Sequence, residues 1–291
     1  MAGSWQRLRV TRLQLGAAGT IVDTVPDEVA VEEPLDVLVD DELVTTTMRT
    51  PGADVDLVLG WLVSEGCLRT VDDLVSAAIV PGTTVLPGTA IVPGAAVLPG
   101  AAVVPGAQLR RNRAVVVRLA AGVRAPVPRL AVTSSACGVC GSAHPLTDVP
   151  AVAPGGQLKL ATLLTLPDAM RARQRLFTRS GGTHAAAAFT LGGELLVLAE
   201  DVGRHNAVDK VVGALLRDGL LPGTDLVLQV SGRASYELAH KAAAAGIGVL
   251  SAVSAPSSLA VETAAAAGLT LVGFVRGERC SVYTGAQRIV I

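Results

Sequence analysis

Residues 225–275 read DLVLQVSGRASYELAHKAAAAGIGVLSAVSAPSSLAVETAAAAGLTLVGFV. Three apolar runs, DLVLQV, IGVLSAV and LTLVGFV, have the length and β-branched content of buried strands. The stretches between them, SGRASYELAHKAAAAG and SAPSSLAVETAAAAG, open on small polar residues and close on Gly, as a loop leading into a helix of about three turns does. Strands alternating with helices are βαβ units, which need right-handed crossovers and a parallel sheet. Just upstream, THAAAAFTL, Gly192-Gly193 and ELLVLAE have the pattern of a hairpin, and DVGRHNAVDKVVGALLRDG that of a further loop and helix.

In an open α/β sheet, ligands bind beyond the carboxyl ends of the strands. The polar segments of this chain fall there: 201–206, 231–233, 255–258 and 276–279. Two of these loops also open helices, whose free N–H groups favour an anion. With Arg204, Arg233, Arg276 and Arg279 nearby, the predicted cleft suits a phosphate-bearing ligand. Residues facing each other about Gly192-Gly193 have numbers that sum to about 385, which puts His184 near Asp201 on the same rim.

The N-terminal part reads differently. Residues 5–47 alternate apolar and polar positions, with turn signals around Gly16–Gly19 and Pro26–Asp27, and predict hairpin-forming strands. Val55, Leu59, Leu62 and Val63 recur at helical spacing, so a helix is expected over 53–65, ended by Gly66. RAVVVRLA and RLAVTSS read as strands, and PDAMRARQRLFTRS as a helix whose Arg171, Arg173, Arg175 and Arg179 suit a solvated face better than an anion site. Pro-Gly recurs every six residues, at 81, 87, 93, 99 and 105. A flexible insertion over 80–107 is favoured there over a short β-solenoid, because fewer than five copies would have to stand without caps. The expected organisation is a β-rich lobe over 1–155, with that insertion and a cysteine loop at 137–141, followed by an α/β domain over 156–291.

Composition narrows the function classes. The 24 Lys and Arg against 25 Asp and Glu argue against nucleic-acid binding by bulk charge. With 2 Trp, 2 Tyr and 3 Phe, the core must be built from Ala, Val and Leu. The mean hydropathy of +0.51 raises the question of a membrane span. The longest uncharged stretch, between Asp73 and Arg110, carries the repeated prolines, and lipid would leave its backbone groups unsatisfied. MAGSWQRLRV has no apolar run of the secretory type, so a cytoplasmic protein is expected.

Of four cysteines, Cys137 and Cys140 form the pair Cys-Gly-Val-Cys-Gly. Three chemistries compete for it. A zinc site needs four ligands, and His144 with Cys67 or Cys280 would have to complete the set. A thioredoxin-like dithiol needs a helix N-terminus, against which Gly141 and Pro145 argue. A sulfur-carrying pair needs only a reachable thiolate. His184 and His205 are candidate acid–base groups or hydrogen-bonded rim histidines, and their shared edge favours function; His240 reads as structural. Ser231 lacks the context of a catalytic nucleophile.

The combination TTTMRTPGADVDLVLGWLVSEGCL, SSACGVCG, SGGTHAAA, EDVGRHNAVDKVVG, VSGRASYELAHKAAAAG, SAPSSLAVETAA and GFVRGERCSVYTGAQRI resembles the formate dehydrogenase accessory sulfurtransferase family (FdhD). The Pro-Gly repeat and Ser180, where Thr is more usual, depart from its pattern. The resemblance implies a cytidine-deaminase-like C-terminal fold, a homodimer, and a sulfurtransferase that takes sulfur from a cysteine desulfurase. It implies delivery to Mo-bis(molybdopterin guanine dinucleotide), bound as substrate, for formate dehydrogenase, with no resident metal. By motif position Cys137 would carry the persulfide and Cys140 assist. Phe274, Val275, Arg276, Gly277, Glu278 and Arg279 would bind the cofactor, and Ser231, Gly232, Arg233, Arg204 and His205 line the same predicted cleft. The alternatives are a cofactor chaperone that moves no sulfur and a zinc-binding protein. Zinc deamination is disfavoured, since His205 is followed by Asn206-Ala207 rather than x-Glu.

Overall fold

A computed structural model describes residues 3–16, 19–81, 113–128, 132–133 and 149–291. Strands β1 (Trp5–Gly16) and β2 (Gly19–Ala30) make a long two-stranded ribbon that turns between Gly16 and Gly19. The turn expected at Pro26–Asp27 does not form: β2 runs through it, with Pro26 opposite Arg9. The far edge of a two-stranded ribbon is unpaired, so the N–H that proline lacks need not be missed.

Next come β3 (Glu33–Val39), β4 (Glu42–Arg49), α1 (Asp54–Ser64), β5 (Leu74–Pro81), β6 (Arg113–Leu119) and the short β7 (Val132–Thr133). They form a mixed sheet in the order β5-β6-β3-β4-β7, with α1 where the heptad-like spacing predicts it. The strand expected over RLAVTSS is described only at β7. Strand β5 takes in residues 80 and 81, at the start of the expected insertion, and the rest of the Pro-Gly repeat lies outside the described residues.

The chain continues through β8 (Leu158–Lys159), α2 (Leu160–Arg171) and α3 (Arg175–Ser180). The single helix predicted from Pro167 is therefore two. Helix α2 begins seven residues earlier and carries Pro167 inside it. The break after it follows from Glu200, whose carboxylate accepts the backbone N–H groups of Leu176 (2.8 Å) and Phe177 (2.7 Å) and so starts α3 afresh.

The C-terminal layer contains β9 (His184–Thr190), β10 (Leu195–Asp201), α4 (Arg204–Arg217), β11 (Leu226–Val230), α5 (Tyr236–Ala244), β12 (Val249–Ala252), α6 (Ser258–Ala267), β13 (Thr270–Arg276), β14 (Arg279–Thr284) and β15 (Ile289–Val290). Six strands form one sheet in the order β10-β9-β11-β12-β13-β14, and β15 pairs with β8. The three decisive runs, β11, β12 and β13, are parallel, as their spacing requires. The flanks are antiparallel, including β14, for which the apolar pattern predicts no strand.

Successive residues of the central strands bury opposite sheet faces. Leu228 and Leu250 join a core with α1, α4, α5 and α6 that extends to Leu35, Val37 and Val115 of the mixed sheet. Val227, Val249 and Phe189 join Leu163, Leu166 and Met170 of α2 on the other face. Burial on both faces explains why these strands read as continuous apolar runs. Helices α1 and α4 meet at two glycines. A Cβ on Gly60 would overlap the Asp209 carbonyl, and one on Gly213 would overlap the Asp56 carbonyl.

Candidate functional site

The carboxyl ends of β10, β11, β12 and β13 and the start of β9 share one edge, and His184 is the cross-strand partner of Asp201. Three helices, α4, α5 and α6, open at this rim rather than two. At α6 the Ser257 hydroxyl accepts the Ala260 N–H at 3.2 Å. At α4 the capping position is Gly203, which has no side chain to offer. At α5 the Ser235 hydroxyl is buried and makes no hydrogen bond among the described residues. Two helix N-termini on the rim thus lack a side-chain acceptor, which suits an incoming anion.

The rim is braced from below by Asp201, which is fully buried. Its carboxylate accepts the N–H groups of Thr50 (3.0 Å) and Gly203 (2.8 Å), the Asn206 amide (3.0 Å) and the Lys210 ammonium (2.7 Å). Lys210 also donates to the Thr50 carbonyl at 2.8 Å. Next to Lys210 in sequence, Asp209 pairs with Lys241 of α5 at 2.6 Å. These buried partners fix where α4 begins. The sequence gives no sign of them, since Asp209 and Lys210 read as the polar side of an amphipathic helix whose apolar face carries Val208 and Val211.

The two histidines have different surroundings. His184 is half-buried, and burial first, then the charges of Arg204 and His205, push its pKa below the usual imidazole value against the pull of Asp201. These surroundings favour the neutral imidazole. His205 is turned inward, with Nε2 against the Glu237 carboxylate of α5. Its place is inside the rim, joining α4 to α5, and not on the open surface. His240 lies against Tyr236 on α5, as a structural reading expects.

The loops of the rim are laced together. Ser231 Oγ accepts the Ala185 N–H at 2.9 Å. The Ser254 N–H donates to the Gly232 carbonyl, and the Phe274 N–H to the Ser254 carbonyl, each at 3.2 Å. Phe274 has φ +53°, a left-handed conformation costly for a bulky side chain and found where surrounding structure enforces it. Beyond it the chain turns at Gly277 (φ +57°), which brings Arg276 opposite Arg279. Arg233, Arg276, Gly277, Glu278 and Arg279 are exposed, Arg204 and Phe274 are partly so, and the Arg276 guanidinium lies 5.8 Å from the Phe274 ring centre. Val275 is fully buried against the α2 side of the sheet, so it anchors this hairpin and offers no side chain to a ligand.

Cys137, Cys140 and His144 lie outside the described residues. The other two cysteines do not favour a thiolate. Burial and the Glu65 charge push Cys67 up to about 11, and burial raises Cys280 as well. Among the described residues no three His, Cys, Asp or Glu side chains are grouped to hold a metal ion, and no helix is long and apolar enough to cross a membrane.

The chain resembles known proteins in sequence and in fold. A protein of Streptomyces avermitilis named sulfur carrier protein FdhD is 46% identical, over 98% of this chain and 96% of its own. Its namesake in Mycobacterium tuberculosis is 45% identical over 92% of this chain and 94% of its own. The crystal structure of a protein from Desulfotalea psychrophila, described as a formate dehydrogenase accessory protein, superposes with a TM-score of 0.72 at 21% identity. It covers 98% of this chain and 99% of its own, and so shares the fold. The pattern of the FdhD/NarQ family matches residues 30–290, and the chain belongs to that family.

Proposed function

We propose that this protein is a sulfurtransferase that accepts sulfur from a cysteine desulfurase on Cys137 and delivers it to Mo-bis(molybdopterin guanine dinucleotide), the form of the cofactor that formate dehydrogenase requires. The observation that carries the reading is the motif Cys137-Gly-Val-Cys140-Gly in a chain about 45% identical to proteins named sulfur carriers. The first step needs only a thiolate. The Cys137 sulfur attacks the outer sulfur of the donor's persulfide, a new S–S bond forms, and the donor cysteine leaves as its own thiolate. Cys140, three residues on, assists. Cys67 and Cys280, with their raised pKa values, are poor nucleophiles at neutral pH.

The cofactor enters as substrate, and the rim suits its anionic diphosphates. Arg276 and Arg279 on the β13–β14 turn, with Arg204 and Arg233 beside the uncapped starts of α4 and α5, supply positive charge at one edge. Ser231 and Gly232 shape its floor next to His184. On this reading residues 156–291 are the cofactor-binding half, of cytidine-deaminase-like type, and the working unit is a homodimer.

The test is to incubate the protein with a cysteine desulfurase and cysteine and to map the added sulfur by mass spectrometry. One extra sulfur atom on Cys137, lost in Cys137→Ala and reduced in Cys140→Ala, is expected. Sulfur found only on Cys67 or Cys280 overturns the assignment. Activation of formate dehydrogenase by a variant lacking both Cys137 and Cys140 would leave a cofactor chaperone instead.

A further inference from the structure

The edge of the six-stranded sheet opposite β14 borders a cavity on the outer side of β10. Strand β10 pairs with β9 and with no other strand among the described residues. Beside it lies a cavity of about 400 Å³, bordered by Trp5, the loop 50–53, Arg175 and Arg179 of α3, and Leu198 and Glu200 of β10. The Ser231 N–H donates to the Ala185 carbonyl, so the backbone of Ala185 faces β11. Its partner on β10, Glu200, must then turn its own N–H and C=O away from β9, and alternation gives Leu198 the same orientation. Lys210, reaching the Glu200 carbonyl at 3.4 Å, agrees with that direction. Strand β10 therefore turns the N–H groups of Leu198 and Glu200 and the C=O of Leu198 toward the cavity, the Glu200 C=O being held by Lys210.

The charges around this edge have one sign to spare. Both Glu200 oxygens are taken by the first N–H groups of α3, and Lys210 is held by Asp201. Arg179 stacks on Trp5 at 4.7 Å and stands 3.6 Å from Glu28. Arg175 borders the cavity, is exposed, and has no ion-pair partner among the described residues. An unpaired strand edge is a template for another strand, and an uncompensated guanidinium selects what that strand carries.

We propose that this edge is a docking site for an extended acidic segment of a partner protein, which adds to β10 as a further strand and sets a carboxylate against Arg175. A small anion would use the arginines and leave the outward C=O of Leu198 unmet. The chain's own segments outside the described residues suit the site poorly. Residues 82–112 hold no Asp or Glu, include Arg110 and Arg111, and lose regular donors to their prolines; residues 134–148 contain a single acid, Asp148.

The experiment screens a combinatorial hexapeptide library against the full chain and follows amide exchange with the best soluble peptide. Selection for Asp or Glu is expected, with protection of the Leu198 and Glu200 amides. Arg175→Glu should weaken binding about tenfold or more. Leu198→Pro, which removes an outward N–H and leaves the β9 ladder its donors, should abolish it while persulfide formation on Cys137 is unchanged. The proposal is overturned if the library shows no acidic preference, if Arg175→Glu binds as tightly as the parent, or if inorganic phosphate displaces the peptide and no β10 amide is protected.

Discussion

The Thr50 N–H donates to the Asp201 carboxylate at 3.0 Å, joining positions 151 residues apart. In return the Thr50 hydroxyl accepts the Val202 N–H at 3.1 Å. The segment before α1 and the turn before α4 are thus fastened to each other by reciprocal hydrogen bonds. The carboxylate that does this is also the partner of Lys210, and both side chains are buried, with 0% and 3% of their area exposed.

Asp201→Asn keeps the shape and removes the charge, leaving the Lys210 ammonium buried without a counter-ion. A buried pair broken on one side costs about 3–5 kcal/mol. A fall of that size in urea-unfolding free energy is expected, and the double variant Asp201→Asn, Lys210→Met should lose less than the sum of the single changes. An unchanged midpoint would mean that the pair does not hold the rim.

Gly60 and Gly213 permit the close crossing of α1 and α4, since the facing atoms are backbone carbonyls that cannot rotate aside. Gly60→Ala or Gly213→Ala should therefore cost about 1–3 kcal/mol or more through overpacking, although alanine favours helices. Thermal unfolding measures it. A stabilised alanine variant would show that the helices separate freely.

Much of this architecture was legible in the sequence, and the exceptions have physical causes. Strands β11, β12 and β13 are buried on both faces, and the helices between them carry Gly or Ser at their ends, so period and punctuation agreed. The pairing of Asp201 with His184 about Gly192-Gly193 was also read correctly, although a bulge between Leu195 and Val197, which the sequence does not announce, sets that register. Pro26 and Pro167 misled, since each is tolerated for a reason outside its own segment: a free strand edge in one case, helix continuation against the core in the other. Glu200 was invisible as the start of α3, because its N–H partners lie more than 20 residues upstream. At the rim, Arg276 and Arg279 stand out as exposed cations, whereas Val275, indistinguishable from them by motif, turns into the core. His205 likewise gave no sign that Glu237 would draw it inward.

His184 links the rim to pH. Its folded pKa is depressed by burial and by Arg204 and His205, while the unfolded chain keeps the ordinary imidazole value of about 6.5. Between the two values the unfolded chain binds more protons, so stability falls as pH drops through about 6.5 and levels off below the folded pKa. His184→Gln should flatten this part of the stability–pH curve. Proton NMR of the His184 imidazole should give a midpoint below the usual histidine value; a midpoint above it would reverse the sign and refute the assigned surroundings.

Arg276 and Arg279 are the exposed cations of the β13–β14 turn, whose shape depends on Gly277 and on the left-handed backbone of Phe274. If they hold the diphosphate of a guanine dinucleotide, Arg276→Ala and Arg279→Ala should each weaken guanosine diphosphate binding about tenfold, the loss of one charge-assisted contact. Cys137 lies in a separate stretch of chain, so persulfide formation with a desulfurase should be unaffected. Calorimetry over a range of salt concentrations separates the contribution of charge, because removing a phosphate-contacting arginine lowers both affinity and its salt dependence. Equal affinity in parent and variants would take the nucleotide away from this turn, and the positive edge would then have to act through Arg204 and Arg233 alone.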